Sequence, residues 1–222
     1  MATCPKTIEE PFADYQARWL DGIAARKSNY WVGFVSDPAA ALFFVFWDLV
    51  ILRISIYALI ASLITGLLSW SLFEYCFHRW VYHRGHTLAH AGHTRHHESP
   101  KALVGMPWFL TTGFLLGFWF VFAYLFQVRF LLSFMAGLVT GFVIYGTFHH
   151  IHHHHPNLNS SWYRNLGKHH TIHHRFPGVN FGVTNRLWDY IFGTTYRKDE
   201  RNLSILLKRE APTGKHSLHH PS

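Results

Sequence analysis

Three long apolar blocks constrain this chain more than any other feature. Residues 39–77 are interrupted only by Asp48, Arg53 and Glu74, and residues 107–128 and 130–148 are parted only by a polar tip at 127–129. A helix rises about 1.5 Å per residue and the hydrocarbon layer of a bilayer is about 30 Å thick. The first block is therefore too long for one crossing and folds back near residues 53–57. The other two blocks form a second hairpin. The reading is an all-α integral-membrane chain with four transmembrane helices, the first of them short and either tilted or only half-penetrating. A charged fraction of 14% agrees with this, because soluble domains carry about 25%.

The basic residues orient the passes. Residues 1–38 carry four Lys/Arg, 79–101 four and 164–215 ten, against Arg53 and Arg129 alone at the hairpin tips. By the positive-inside rule the termini and the middle loop share the cytoplasmic side, of a bacterial inner membrane or the endoplasmic reticulum. Every histidine falls on that side, so the expected fold is a membrane stem under a cytoplasmic, histidine-rich helical cap. Three segments follow: an N-terminal cytoplasmic or interfacial stretch over 1–38, a membrane domain over 39–205 and a polar tail over 206–222. In the first stretch Phe12, Tyr15, Trp19, Leu20 and Ile23 share one helical face, with Pro11 suiting a first turn and Ser28 and Asn29 an end. That helix lies on the membrane surface or packs on the cap. No signal peptide precedes it. The pI near 9.7 comes without a nucleic-acid motif, so nucleic acid is not expected as a partner. Cys4 and Cys76 sit in unlike contexts and make neither a disulfide framework nor a thiolate site.

The chemistry lies in four histidine clusters: His78 with His83; His93, His96 and His97; the run from His149 to His155; and His169, His170, His173 and His174. Helical residues three and four apart share a face. His93, His96 and His97 can therefore aim at one spot, as can His170, His173 and His174, while His149 and His153 form an i, i+4 pair. His78 and His83 point about 140° apart on a regular helix, and require a helix end between them or two different metals. Ten imidazoles suit two metal ions. The other histidines of the run are expected beside the metals or on the surface, with His154 the first candidate for a supporting role. His86 and His90 belong to a connecting loop. His216, His219 and His220 repeat the spacing in a polar tail without an apolar flank, and read as disordered.

Imidazole accepts zinc, iron, copper or nickel. A structural zinc needs four ligands and usually thiolates, and a carboxylate-bridged di-iron bundle needs Glu-x-x-His pairs that are missing here. Glu74, Glu98 and Asp189 are the only nearby carboxylates. A dinuclear, histidine-bound site at a membrane surface remains.

The order His-x4-His, His-x2-His-His, His-x3-His, His-x2-His-His resembles that of the fatty acid hydroxylase (sterol desaturase) superfamily. SLFEYCFHRWVYH over 71–83 and FGVTNRLWDYIFGT over 181–194 are similar to fatty acid (sphingolipid) 2-hydroxylases in particular. The resemblance implies that His78, His83, His93, His96, His97, His149, His153, His170, His173 and His174 hold two irons, which zinc can replace in purified samples. It implies insertion of one oxygen atom from dioxygen at carbon 2 of a lipid acyl chain. Gly146 stands where those enzymes carry Asp after Tyr145, and Asp189 is a candidate to orient a histidine instead, with Glu74 as a further supporting carboxylate. A fused cytochrome b5 domain does not fit in the residues before the stem, so a separate donor, cytochrome b5 or ferredoxin with its reductase, is expected. The shorter His83–His93 connection is nearer to carotenoid- and sterol-oxidising relatives, which keeps a carotenoid or sterol hydroxylase or desaturase open. A non-enzymatic membrane metal-binding protein is the alternative of another class.

Overall fold

The structure is a computed structural model that describes residues 19–20, 22–84, 87–155 and 160–197. Its described residues are helical, without strands. Helix α1 (Lys27–Phe46) runs on into a π-helical stretch, Trp47–Ile51. α2 (Ile56–Cys76) continues as the π-helical Phe77–Tyr82, and α3 is Leu88–Glu98. α4 (Trp108–Phe118) continues as the π-helical Trp119–Leu125; α5 is Leu131–His154, α6 Ser161–Arg175 and α7 Leu187–Ile191.

Four rods are long and apolar enough to cross a bilayer: Lys27–Ile51, Ile56–Tyr82, Trp108–Leu125 and Leu131–His154. They are joined in pairs by tight tips, where Arg53 and Gln127 have φ 49° and Phe130 φ 70°. Ser55 caps α2 by accepting from the Ala58 N–H at 3.2 Å, and Pro107 stands at the start of α4, where a missing N–H costs nothing. The two hairpins are tied by Asp48, whose Oδ2 accepts from the Ser133 N–H (2.8 Å) and hydroxyl (2.6 Å) and so caps the free N–H groups of α5.

α2 and α5 pack closest because glycines remove the side chains between them. A Cβ on Gly66 would fall 2.0 Å from the Phe134 carbonyl oxygen, and one on Gly137 2.2 Å from that of Leu63. This is the small-residue packing that drives helices together in lipid, where the hydrophobic effect does not.

The first crossing is not short. It spans 25 residues and begins at Lys27, so the expected segment boundary at 38 falls inside a helix. Asn29, expected to end a helix, is instead bonded across the cap. Asn29 Nδ2 donates to the carbonyls of Gly105 (3.1 Å) and Met106 (3.0 Å), and its Oδ1 accepts from the Trp108 N–H at 2.8 Å. Pro38 lies within the helix, a position that neighbouring helices make tolerable in membranes. Ser28 and Asn29 thus open a helix instead of closing one. Phe12 and Tyr15, the tail over 206–222 and His86 lie outside the described residues.

Candidate metal centre

Ten histidines gather at the cap end of α2 and α5 in two groups of five: His78, His83, His93, His97 and His173, and His96, His149, His153, His170 and His174. Within each group one ring nitrogen per residue lies within 4.8 Å of all the others. These are the same ten residues that the spacing singles out, but their grouping differs from expectation in two ways.

First, His78 and His83 serve one group, with rings 5.2 Å apart and nearly parallel. The π-helical turn over Phe77–Tyr82 explains this. A π turn closes on the fifth residue, so a five-residue spacing returns to one side. The helix also ends there, with His83 as its C-cap, so the expected helix end is present and no second metal is needed. Second, each His-x2-His-His motif straddles both groups. The i, i+4 pairs His93/His97 and His170/His174 stay together, while His96 and His173 cross to the other group. The two groups therefore abut, and the rings of His97 and His174 stack across the boundary at 4.3 Å.

The arrangement of these nitrogens suits a cation. A neutral imidazole carries one N–H. His78 Nδ1 donates its proton to the Phe181 carbonyl at 2.5 Å, and His173 Nδ1 to that of Val179 at 2.8 Å. Their Nε2 atoms are thereby lone pairs directed inward. His93 Nε2 stands 3.0–3.1 Å from the Nε2 atoms of His78, His83 and His97. His83 Nε2 is 3.0 Å from that of His173. One proton cannot bridge so many acceptors, whereas a metal ion at the focus satisfies all of them. In the second group His170 Nε2 lies 2.9 Å from His153 Nε2 and 3.1 Å from His174 Nε2, which is 3.1 Å from His96 Nε2. Burial, reinforced by neighbouring imidazoles, pushes His83 down to about 4 and His174 to about 3, and holds His93, His170 and His173 well below the usual range. The neutral form that ligates a metal thus prevails at neutral pH.

Two buried carboxylates hold the loop after α6 against this centre. Glu74 accepts from the backbone N–H of Val183 (2.7 Å) and Thr184 (2.9 Å) and from the Thr184 hydroxyl. Asp189 accepts from the N–H groups of Phe181 (2.8 Å) and Gly182 (2.7 Å), the Thr194 hydroxyl (2.7 Å) and His169 Nε2 (3.0 Å). The residues so anchored supply the Phe181 carbonyl to His78. Asp189 is thus linked to His78 through the Phe181 backbone, and its direct histidine partner is His169.

The remaining sequence candidates lie elsewhere. His154 is outside both groups, stacked on His150 at 4.4 Å, whose Nδ1 is 3.0 Å from the Tyr30 hydroxyl. His152 is buried against Tyr163 and His170, and His90 Nδ1 donates to the Tyr82 carbonyl at 2.6 Å. The carbonyls of Val179 and Phe181 had no sequence signal, since every residue carries one.

Beside the centre lies a mainly apolar cavity of about 180 Å³. His93, His96 and His149 line one wall, with Tyr82 and Tyr145; α1 supplies the other through Tyr30, Phe34 and Asp37. It is a space for an apolar ligand that reaches the histidines.

Comparison with known proteins agrees with this arrangement. Residues 63–194 match the fatty acid hydroxylase family model. Two dihydroceramide fatty acyl 2-hydroxylases of Arabidopsis thaliana, FAH1 and FAH2, are 29% and 31% identical to the chain over 147 and 140 residues. These alignments cover 61% and 58% of the chain and the same shares of the two plant proteins, so the chain matches about three fifths of their length. The hydroxylase domain seen in the structure of full-length scs7p superposes with a TM-score of 0.63 at 25% identity, covering 82% of this chain and 71% of that one. A stem of four apolar helices, two five-histidine groups and a family match over more than half the sequence converge: this integral-membrane chain belongs to the fatty acid hydroxylase family.

Proposed function

We propose that the chain is a di-iron oxygenase that inserts one oxygen atom into a lipid acyl chain, at carbon 2. The observation that carries this is the pair of abutting five-histidine groups opening on an apolar cavity. His78, His83, His93, His97 and His173 would hold one ion and His96, His149, His153, His170 and His174 the other. Iron, when bound, supplies activation of dioxygen. The chain's own residues do the rest. The imidazoles stay neutral and converge without reorganisation, the Phe181 and Val179 carbonyls set the tautomer of His78 and His173, and the cavity wall aligns the acyl chain while keeping water out. Carbon 2 is favoured by the likeness to the plant acyl 2-hydroxylases.

Two electrons per turnover come, in this reading, from a cytochrome b5-like or ferredoxin-like protein and its reductase. Such a carrier docks on the cap from the cytoplasm, the side that the basic residues assign. The decisive experiment is lipid profiling of cells expressing the chain under isotopic dioxygen. One labelled oxygen at carbon 2 is expected. Label derived from water, a double bond in place of oxygen, or no new lipid would overturn the reading. Purified protein with iron, lipid and NAD(P)H is expected to stay inert until donor and reductase are added.

A further inference from the structure

The cavity contains a carboxylate that neither the metal centre nor the fold employs. Asp37, on α1, is 6% exposed, and its hydrogen-bond partner among the described residues is the adjacent Ser36 hydroxyl at 3.4 Å. The other fully buried carboxylates differ. Asp48, Glu74 and Asp189 each receive at least two bonds of 2.9 Å or shorter. An ionisable group inside a membrane stem is costly unless it faces a partner, a cavity or a ligand. Asp37 faces the cavity.

Its position along the stem is specific. A Cβ on Gly33 would stand 3.9 Å from Asp37 Oδ2, so the carboxylate reaches back one turn toward the cap. At that level the Phe34 ring would meet a Cβ on Gly146 of α5 at 3.6 Å. Gly146 is three residues from His149, about 5 Å along the helix. The carboxylate thus sits within roughly one helical turn of the level of a metal-facing histidine. Gly33, Gly92 and Gly146 all line this part of the cavity and keep side chains out of it.

A hydrocarbon chain has no use for such a group, and a free fatty acid brings a second negative charge into a low-dielectric space, which is repelled. What a buried carboxylate binds is a donor. In an N-acyl amide the nitrogen is two bonds from carbon 2, so an acceptor in the cavity that the histidines line can meet its N–H. We propose that Asp37 is a specificity-determining residue: it accepts a hydrogen bond from the amide N–H beside the reacting carbon and turns away free carboxylates. The identity of the occupant rests on the function proposed above.

The test reads binding without turnover, by displacement of a fluorescent acyl probe from the detergent-solubilised full chain. Three ligands of equal chain length are compared: an N-acyl amide, its N-methylated form without the N–H, and the free fatty acid. The native chain is expected to bind the secondary amide at least about tenfold more tightly than either, as sites built around a donor do. Asp37→Leu should abolish the preference over the N-methyl amide. Asp37→Asn keeps size and an acceptor oxygen but removes the charge, so it should admit the free acid at least threefold better. Equal binding of all three by the native chain, or full discrimination retained in either folded variant, overturns the proposal. Because binding is read directly, absence of hydroxylation with this discrimination intact would refute the proposed reaction and leave the Asp37 site standing.

Discussion

The two histidine groups look equivalent in composition but are built differently. The second is an affair of helix periodicity. Four of its members are the i, i+4 pairs His149/His153 on α5 and His170/His174 on α6, and the buried Nδ1 atoms of His170 and His174 have no hydrogen-bond partner among the described residues. The first is an affair of tertiary structure. It needs a π turn to align His78 with His83, and the loop after α6, remote in sequence from His78, to brace His78 and the nearby His173 through backbone carbonyls. That loop is itself held by Glu74 and Asp189. The difference teaches that an ion in the first group would depend on surrounding residues that can be altered without touching a histidine, whereas one in the second would depend on the helices that carry it.

Predictions follow this contrast in order of expected effect. Removing the metal should do most. Neutral imidazoles held lone pair to lone pair repel in the empty centre, so chelation is expected to lower the melting temperature strongly; ligand linkage alone is worth about 4 kcal/mol at a thousandfold excess over Kd. Differential scanning fluorimetry with and without chelator reads this, and an unchanged melting temperature would mean that the cluster is not a metal site. Next come the focal ligands. His93→Ala should abolish turnover and release the first ion, His170→Ala the second, each reducing elemental analysis from two metals per chain to one. Loss of both ions from either variant would break the proposed independence of the groups.

A smaller effect separates the shells. Asp189→Asn leaves every ligand in place but weakens the anchor of the 181–182 backbone, and should reduce affinity at the first ion by about 10- to 100-fold. The second ion should titrate as in the native chain, a difference that stepwise competition with a chelator measures. Equal weakening of both would show that Asp189 supports the whole cap. Glu74→Gln keeps one acceptor oxygen and should act in the same direction more mildly, at about 1–3 kcal/mol of folding stability. The smallest effect belongs to His154→Ala and to His219→Ala. The first residue stacks on His150 outside both groups and the second belongs to the polar tail, so metal content should stay at two for each. A lost ion in His154→Ala would redraw the second group.

Much of this was legible in advance because the relevant patterns are local. Uncharged runs announce crossings, since lipid leaves backbone and side chains no other solvent, and four were read correctly. Spacings of three and four name eight of the ten histidines found together, and His78 with His83 adds a pair five apart. The helix starts before the apolar block does, because Asn29 is satisfied by Gly105, Met106 and Trp108, partners that no local pattern announces. Asp37 passed unnoticed for the same reason: a lone carboxylate near a helix start is unremarkable until a cavity is found in front of it.

What the sequence alone determined was the stem, the cap and the roster of nitrogens, because hydropathy and helical repeat act over a few residues and survive any global arrangement. What only the tertiary structure decided was the partition of the ten into two sets, the π turn that brings His78 and His83 together, and the backbone carbonyls that fix the tautomers of His78 and His173. Those depend on contacts between residues about a hundred positions apart, such as Glu74 with Val183 and His78 with Phe181. No local rule carries such pairings, since every peptide unit offers the same carbonyl and only the folded chain selects which one faces a histidine.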